Sequence, residues 1–335
     1  MSKPRFAAII LAAGSGTRIK SSIPKVMHPI AGQPIIAHLL DTLRTLSPAA
    51  TVVVIGPQME SVARIAAPAE SVVQDPPLGT GDVVRAALTP LDGRLAPQGD
   101  IDEVLVLYGD TPLLAPETLS RLLAERRRTS AAILLSAMRP DDPGPYGRFV
   151  VASDGSLECI VEAADASTEQ RAIGLVNGGI MVIEARHLWG LVDALDRSNA
   201  KREFYLTNIL HIARRKGLDC RTVELPAEEL IGINTRAELA EAEAQMQRRL
   251  RRAAMDAGVT LVAPETVFLG ADTRLGRDVV VEPNVTFGLG AGTEPGSLNL
   301  DEIADMHVLL EDRARSKAGE RTDQSARSDR GTFER

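Results

Sequence analysis

The sequence predicts an α/β fold built on a mixed, mostly parallel sheet, and three observations predict it. Continuous apolar runs recur along the first half of the chain, as in strands buried on both faces. Segments of helical periodicity lie between them, which makes βαβ units. A glycine loop follows the first run, at the carboxyl end of a strand, where such sheets gather their ligands.

Residues 6–11 form the first apolar run, which leads to Gly14, and similar runs occupy 51–55, 104–108 and 131–137. Ile35, Ile36, Leu39, Leu40 and Leu43 keep a helical spacing, as do Val83, Val84, Ala87, Leu88 and Leu91. Shorter strands are expected at 148–152, 157–161, 179–183 and 221–225, with helices at 185–195 and 203–216. A long helix is expected over 236–257, with Leu239, Met246, Leu250 and Ala253 as its apolar stripe. Arg248, Arg249, Arg251 and Arg252 crowd its last turns, which suits the helix dipole and reads as a solvated helix end. Beyond it, Leu269, Leu275, Val281 and Phe287 stand six apart, the apolar period of a β-helix, and the repeat lasts about one turn. One helix is expected over 299–310. The polar stretch 313–335 carries a single large apolar residue, Phe333, and is expected to be disordered.

The chain has 335 residues, about two domains' worth. Its net charge of −7 argues against a nucleic-acid partner. No run reaches the ~18 apolar residues of a membrane span, and the first run leads into glycines where a signal peptide would have a cleavage site. Two cysteines, Cys159 and Cys220, are too few for a disulfide framework. A cytoplasmic protein is expected. Five histidines show no ligand spacing, and His28 and His38 read as structural.

The strongest motif runs from Leu11, Ala12, Ala13 and Gly14 through Gly16 to Arg18, with Pro24-Lys25 behind it. Glycines let backbone N–H groups approach a phosphate closely. Arg18 can grip phosphate oxygens with two nitrogens, and Lys25 adds a mobile point charge. The spacing is neither that of a Walker loop nor G-x-G-x-x-G. The glycines alone are equally a strand-ending turn; with Arg18 and Lys25 attached, a phosphate loop is the better reading. The run 104–108 ends in Tyr108-Gly109-Asp110, and one carboxylate there suffices for Mg²⁺ when phosphates and water complete the octahedron. Asp110 could instead be a turn or cap residue. Gln74 to Asp82 opens a helix with Gly79-Thr80-Gly81, which supplies free N–H donors; the alternative reading of Asp82 is a helix cap. Gly147, Glu162, Asn177-Gly178-Gly179 and Gly232-Ile233-Asn234 read in isolation as turn chemistry.

Taken in order, LAAGSGTRIKSSIPKVMH, QDPPLGTGD, LYGD, YGR, IVE, NGGI, EFYLTN and GIN resemble the sugar-nucleotide pyrophosphorylases. Within that family the resemblance is to the N-terminal half of the bacterial enzymes that join N-acetylglucosamine-1-phosphate uridylyltransferase to glucosamine-1-phosphate acetyltransferase. It runs from about Ala8 to Gly290. It implies a Rossmann-like nucleotide-diphospho-sugar transferase fold, then a helical arm and about one turn of left-handed β-helix. The implied division is a nucleotidyltransferase domain at 1–235, an arm at 236–258, a hexapeptide-repeat fragment at 259–291 and a divergent tail at 292–335.

The resemblance also implies roles. Leu11, Ala12, Ala13 and Gly14 would contact the nucleotide, Arg18 and Lys25 the triphosphate, and Gln74, Gly79 and Thr80 the uracil. Tyr108, Gly147, Glu162 and Asn177 would bind the sugar, and Asp110 and Asn234 would hold Mg²⁺. The implied reaction joins UTP to N-acetylglucosamine 1-phosphate, with acetyltransferase activity expected to be absent. The family builds its trimer on the β-helix, most of which is lacking here, so the oligomeric state is left open. The chain departs from the family at Ala164 (a basic residue there), Gly178 (Asn-Thr-Gly there) and Asn208 (an acid there), all on the sugar side. The alternatives are a nucleotidyltransferase for another sugar 1-phosphate, such as glucose 1-phosphate with UTP or dTTP, and a non-catalytic protein that binds nucleotide sugars.

Overall fold

The computed structural model describes residues 4–14, 16–197 and 202–290. It carries a nine-stranded sheet. In chain order the strands are β1 (Phe6–Ala12), β2 (Ala50–Ile55), β3 (Glu70–Val73), β4 (Glu103–Tyr108), β5 (Ile133–Met138), β6 (Arg148–Val151), β7 (Leu157–Val161), β8 (Val176–Glu184) and β9 (Cys220–Glu224). The main path runs β9-β5-β8-β4-β1-β2-β3, and β6 and β7 form a hairpin attached to β8. β1 is parallel to both neighbours, β2 is parallel to β3, and β9 is parallel to β5. Only β8 on that path runs antiparallel, to β4 and β5. The sheet is therefore mixed and mostly parallel, as the alternation of apolar runs and helical segments predicts.

The apolar runs are continuous because both faces of the sheet are covered. Ala7, Ile9 and Leu11 of β1 pack on one face with the helices α3 (Thr80–Leu88), α5 (Ala185–Val192) and α6 (Ile209–Arg215). Ala8, Ile10 and Ala12 pack on the other with α1 (Ile35–Leu46), α2 (Glu60–Ala66) and α4 (Pro116–Thr129). Successive residues of a strand point to opposite faces, so a strand between two helical layers needs an apolar residue at every position. Each fully buried Leu or Ile contributes about 1.5–3 kcal/mol of transfer free energy.

Several boundaries differ from the expected ones, for local reasons. The helix expected over 203–216 begins only with a 3₁₀ turn at Leu206–Asn208 and α6. Phe204 is drawn into an extended pairing instead: its N–H donates to Leu78 O at 2.8 Å and its carbonyl accepts from Gly81 N at 2.7 Å. β8 runs three residues further towards the amino end than expected, and α5 stops at Val192. β3, α2 and α4 have no counterpart among the expected elements. The expected helix at 299–310 and the polar stretch 313–335 lie outside the described residues.

The chain divides into two compact units between Met246 and Gln247, inside the long helix α7 (Arg236–Asp256). In the second unit, β10 (Thr260–Leu261) pairs in parallel with β11 (Val280–Val281), and Phe268 pairs with Thr286. Val259, Leu261, Val267, Leu269 and Val281 form its core, with Leu275 and Phe287 packed against it, so the hexad residues point inward. Arg251 corrects the reading of the arginine cluster as a solvated helix end. It is buried, donates to Val267 O at 3.3 Å and pairs with Glu265 at 2.9 Å. The Val267 carbonyl faces this helix and needs a donor. Arg252 behaves as expected, exposed and paired with Asp256 one turn on.

Candidate active site

The carboxyl ends of β1 and β4 and the segments that follow them build the site. Gly109 N–H donates to Leu11 O at 2.9 Å, which carries the parallel pairing one residue past β4 before the chain turns to Asp110. Gly16 has a φ of 66° and lies so close to Lys25 that a Cβ would stand 2.6 Å from that residue's own Cβ. A side chain at Gly16 would push the glycine loop and the Lys25 turn apart, so glycine is required by both conformation and space. Ser15 lies outside the described residues.

The segment Gly232-Ile233-Asn234 returns to the same point. Ile233 N–H donates to the Asp110 carbonyl at 3.0 Å, so Asp110 and Asn234 become neighbours through a backbone bond. Asn234 is then locked from behind. The Glu238 carboxylate accepts from the N–H groups of Asn234 and Thr235, both at 2.7 Å, while Thr235 Oγ1 accepts from Glu238 N–H at 3.2 Å. This is a reciprocal cap on the first turn of α7. Lys25 Nζ pairs with the Asp110 carboxylate and donates to Asn234 Oδ1 at 3.2 Å. Arg18 donates to the same Asn234 oxygen at 2.7 Å. The four residues expected to handle triphosphate and metal, 216 positions apart at the extreme, thus form one connected cluster.

Two cavities open on either side of it. The first, of about 320 Å³, is lined by Leu11, Ala12, Ala13, Gly14, Lys25, Gln74, Gly79 and Thr80, the complete expected nucleotide set. The second, of about 260 Å³, is lined by Tyr108, Gly147, Glu162, Asn177 and Asn234, which include the complete expected sugar set. Tyr108 and Asp110 belong to both walls. Arg18 lines neither cavity and reaches the site through Asn234. Burial pushes the Tyr108 hydroxyl up to about 12, with the charges of Asp110 and Glu162 adding to the effect, so it stays protonated. Asn177 Oδ1 accepts from Gly179 N–H at 2.9 Å, which fixes its side chain against its own loop.

Sequence reasoning missed Glu203, Tyr205 and Pro77 in the first cavity, and Tyr146 and Leu230 in the second, where Gly232 had read only as turn chemistry. Tyr146 and Tyr205 sit inside quoted motifs and carried no separate signal. Glu238 was missed as well, and the signal that could have found it is the Thr-x-x-Glu spacing of a helix cap. Asp82 does not act as the N-cap of α3, a position taken by Gly79; its carboxylate accepts from Gln74 Nε2 at 2.8 Å. The departure at Gly178 has a packing cause. A Cβ there would stand 2.6 Å from Ser136 Oγ and 2.7 Å from Leu230 Cδ1, so those two side chains fill the volume of the missing one.

The model of MobA-like NTP transferase domains matches residues 8–201. A bifunctional protein GlmU of Paramagnetospirillum magneticum is 50% identical over 294 residues, covering 87% of this chain and 63% of that protein. One of Rhodospirillum rubrum is 52% identical over 279 residues, covering 82% of this chain and 60% of its own. One of Azorhizobium caulinodans is 46% identical over 298 residues, covering 88% and 65%. The chain thus matches less than two thirds of the length of these relatives.

Proposed function

The chain belongs to the MobA-like NTP transferase domain family, and on that premise we propose that it transfers a uridylyl group from UTP to N-acetylglucosamine 1-phosphate, giving UDP-N-acetylglucosamine and pyrophosphate. The observation that carries this reading is the cluster of Arg18, Lys25, Asp110 and Asn234 beside two cavities that share Tyr108 and Asp110. A phosphoryl-transfer site needs two polyanions held end to end, with positive charge where they meet.

In this reading an oxygen of the sugar phosphate attacks the α-phosphorus of UTP in line, and pyrophosphate leaves. A phosphate monoester has its second pKa near ~6, so the nucleophile is already ionised and no general base is needed. Lys25 and Arg18 neutralise the triphosphate and the departing pyrophosphate. Gln74, Gly79 and Thr80 hold the base, while Tyr108, Gly147, Glu162 and Asn177 hold the sugar.

Asp110 and Asn234 fit a divalent cation, which we take to be Mg²⁺. They present two oxygen donors to one point, the share a protein gives Mg²⁺ when phosphates and water supply the rest. When bound, the ion would offset phosphate charge in the transition state.

Residues 1–235 would form the transferase domain, 236–258 an arm and 259–291 a hexapeptide-repeat fragment. The reading carries with it a cytoplasmic location and small-molecule partners. Among the described residues no helix is long and apolar enough to cross a membrane. A second sugar is worth testing because Asn208, one of the departures, lines a pocket of about 180 Å³ with Glu162 and Tyr205. The experiment is pyrophosphate release with UTP, Mg²⁺ and either N-acetylglucosamine 1-phosphate or glucose 1-phosphate. Tight UTP binding without turnover of either sugar phosphate would favour the non-catalytic alternative.

A further inference from the structure

Gln74 is nearly fully buried, yet it lines the first cavity. Its backbone continues β3, with its N–H donating to Ile55 O at 2.9 Å. A side-chain amide fits a given space either way round, so its surroundings must choose. Here Nε2 donates to Asp82 Oδ2 at 2.8 Å and to Gly79 O at 3.2 Å. Both neighbours are acceptors only. Turning the amide over would set Oε1 against a carboxylate and a carbonyl, two acceptors, and take the Gln74 donor away from both. With both amide hydrogens committed, Oε1 is the one group left to meet a ligand, and among the described residues nothing donates to it.

The carboxylate that makes this choice is itself held. Arg85, one turn further along α3, stands 3.9 Å from Asp82 Oδ1. Its guanidinium donates to Val192 O at 3.0 Å and lies over the Phe204 ring, 4.5 Å from the centroid. The Asp82 carboxylate is thus held in place by contacts other than a helix cap.

We propose that Asp82 is a positioning residue for base selection: by fixing the Gln74 amide it leaves only an acceptor facing the cavity. That acceptor suits a pyrimidine whose ring nitrogen carries a hydrogen, the N3–H of uracil, and rejects cytosine, whose bare N3 would face Oε1. Thymine presents the same N3–H, so the device separates pyrimidines by their hydrogen-bonding edge and not by their methyl group. The inference rests on the first cavity being the nucleotide site.

The test is calorimetric binding of UTP and of CTP, each with Mg²⁺, to the wild-type chain and to Asp82→Asn. The wild type is expected to prefer UTP by at least about 100-fold, as sites built around a buried polar group do. In Asp82→Asn the new amide can donate to a turned Gln74, and the UTP/CTP ratio should fall at least about tenfold, with CTP gaining as UTP loses. Asp82→Ala keeps the Gly79 carbonyl as an acceptor and should give an intermediate ratio; it reads the same quantity should the first variant not fold. Turnover with saturating UTP should change less than about threefold, since Asp82 touches no phosphate-binding residue. A wild type that binds both nucleotides equally, or variants that keep the wild-type ratio within about twofold, overturns the proposal. A wild type that binds neither overturns the nucleotide-site reading itself, a distinct result.

Discussion

The ammonium of Lys25 pairs with the carboxylate of Asp110, 85 residues away in sequence, and donates to Asn234 Oδ1 as well. Lys25 therefore occupies the space between the two oxygen donors proposed for the cation.

Removing that charge should separate two quantities that usually fall together. Lys25→Met should bind Mn²⁺, a paramagnetic probe, more tightly than the wild type in the absence of nucleotide, because a competing positive charge has gone. Its turnover should nevertheless drop at least ~100-fold, taking one lost electrostatic contact as ~2.7–4 kcal/mol. Arg18→Ala and Asp110→Ala should lose as much turnover, and Asp110→Ala should lose Mn²⁺ binding too. Near-normal turnover in the folded variants would reject the assignment.

Glu238 touches neither cavity, yet its carboxylate holds the Asn234 backbone. Glu238→Ala should destabilise the first turn of α7 by about 1 kcal/mol, the usual cost of a lost cap. It should also raise the metal concentration needed for half-maximal turnover. Glu238→Gln keeps one acceptor oxygen and should recover most of both. Thermal unfolding and a metal titration of activity measure the two effects separately.

Gly178 gives a test of packing. Gly178→Thr restores the residue usual in the resembled family, but its Cβ meets Ser136 Oγ and Leu230 Cδ1 at under 3 Å. We expect a loss of about 1–3 kcal/mol, the cost of overpacking a filled site. Denaturant unfolding of the variant against the wild type reads it, and an unchanged midpoint would contradict the packing account.

Burial first, and the Arg236 guanidinium second, hold the His28 imidazole below its ordinary value of 6.5. Arg236 donates to Nδ1 at 3.2 Å, and Nε2 is buried without a partner. The unfolded chain therefore takes up a proton near pH 6.5 that the folded chain still refuses, so stability falls as pH drops through that range. His187, whose value is also lowered, mainly by burial, contributes in the same sense. The melting temperature should fall between pH 7.5 and 5.5, and His28→Gln should flatten that fall in part. An unchanged slope would show that His28 titrates as it does in the unfolded chain.

Much of this protein is legible in its amino-acid sequence. Apolar runs without alternation announced strands covered on both faces, and β1, β2 and β4 lie as read. The glycine loop with Arg18 and Lys25, and the acid after β4, were identifiable by chemistry and position. The Phe204 segment was not, since its helical composition is overruled by a pairing with Leu78 and Gly81 that no local pattern reports. Nor was the inward turn of Arg251, which depends on a carbonyl sixteen residues further along.

The amino-acid order by itself determined which strands are central, which loops carry glycine and charge, and which residue types could meet phosphate, because periodicity and backbone freedom are local properties. Only the tertiary structure decided that Asn234 reaches Asp110, that Asp82 orients Gln74 and that Ser136 fills the space beside Gly178. Each of these is a contact between distant parts of the chain, made where the sheet and its loops converge, and such contacts depend on three-dimensional packing that a one-dimensional pattern does not encode.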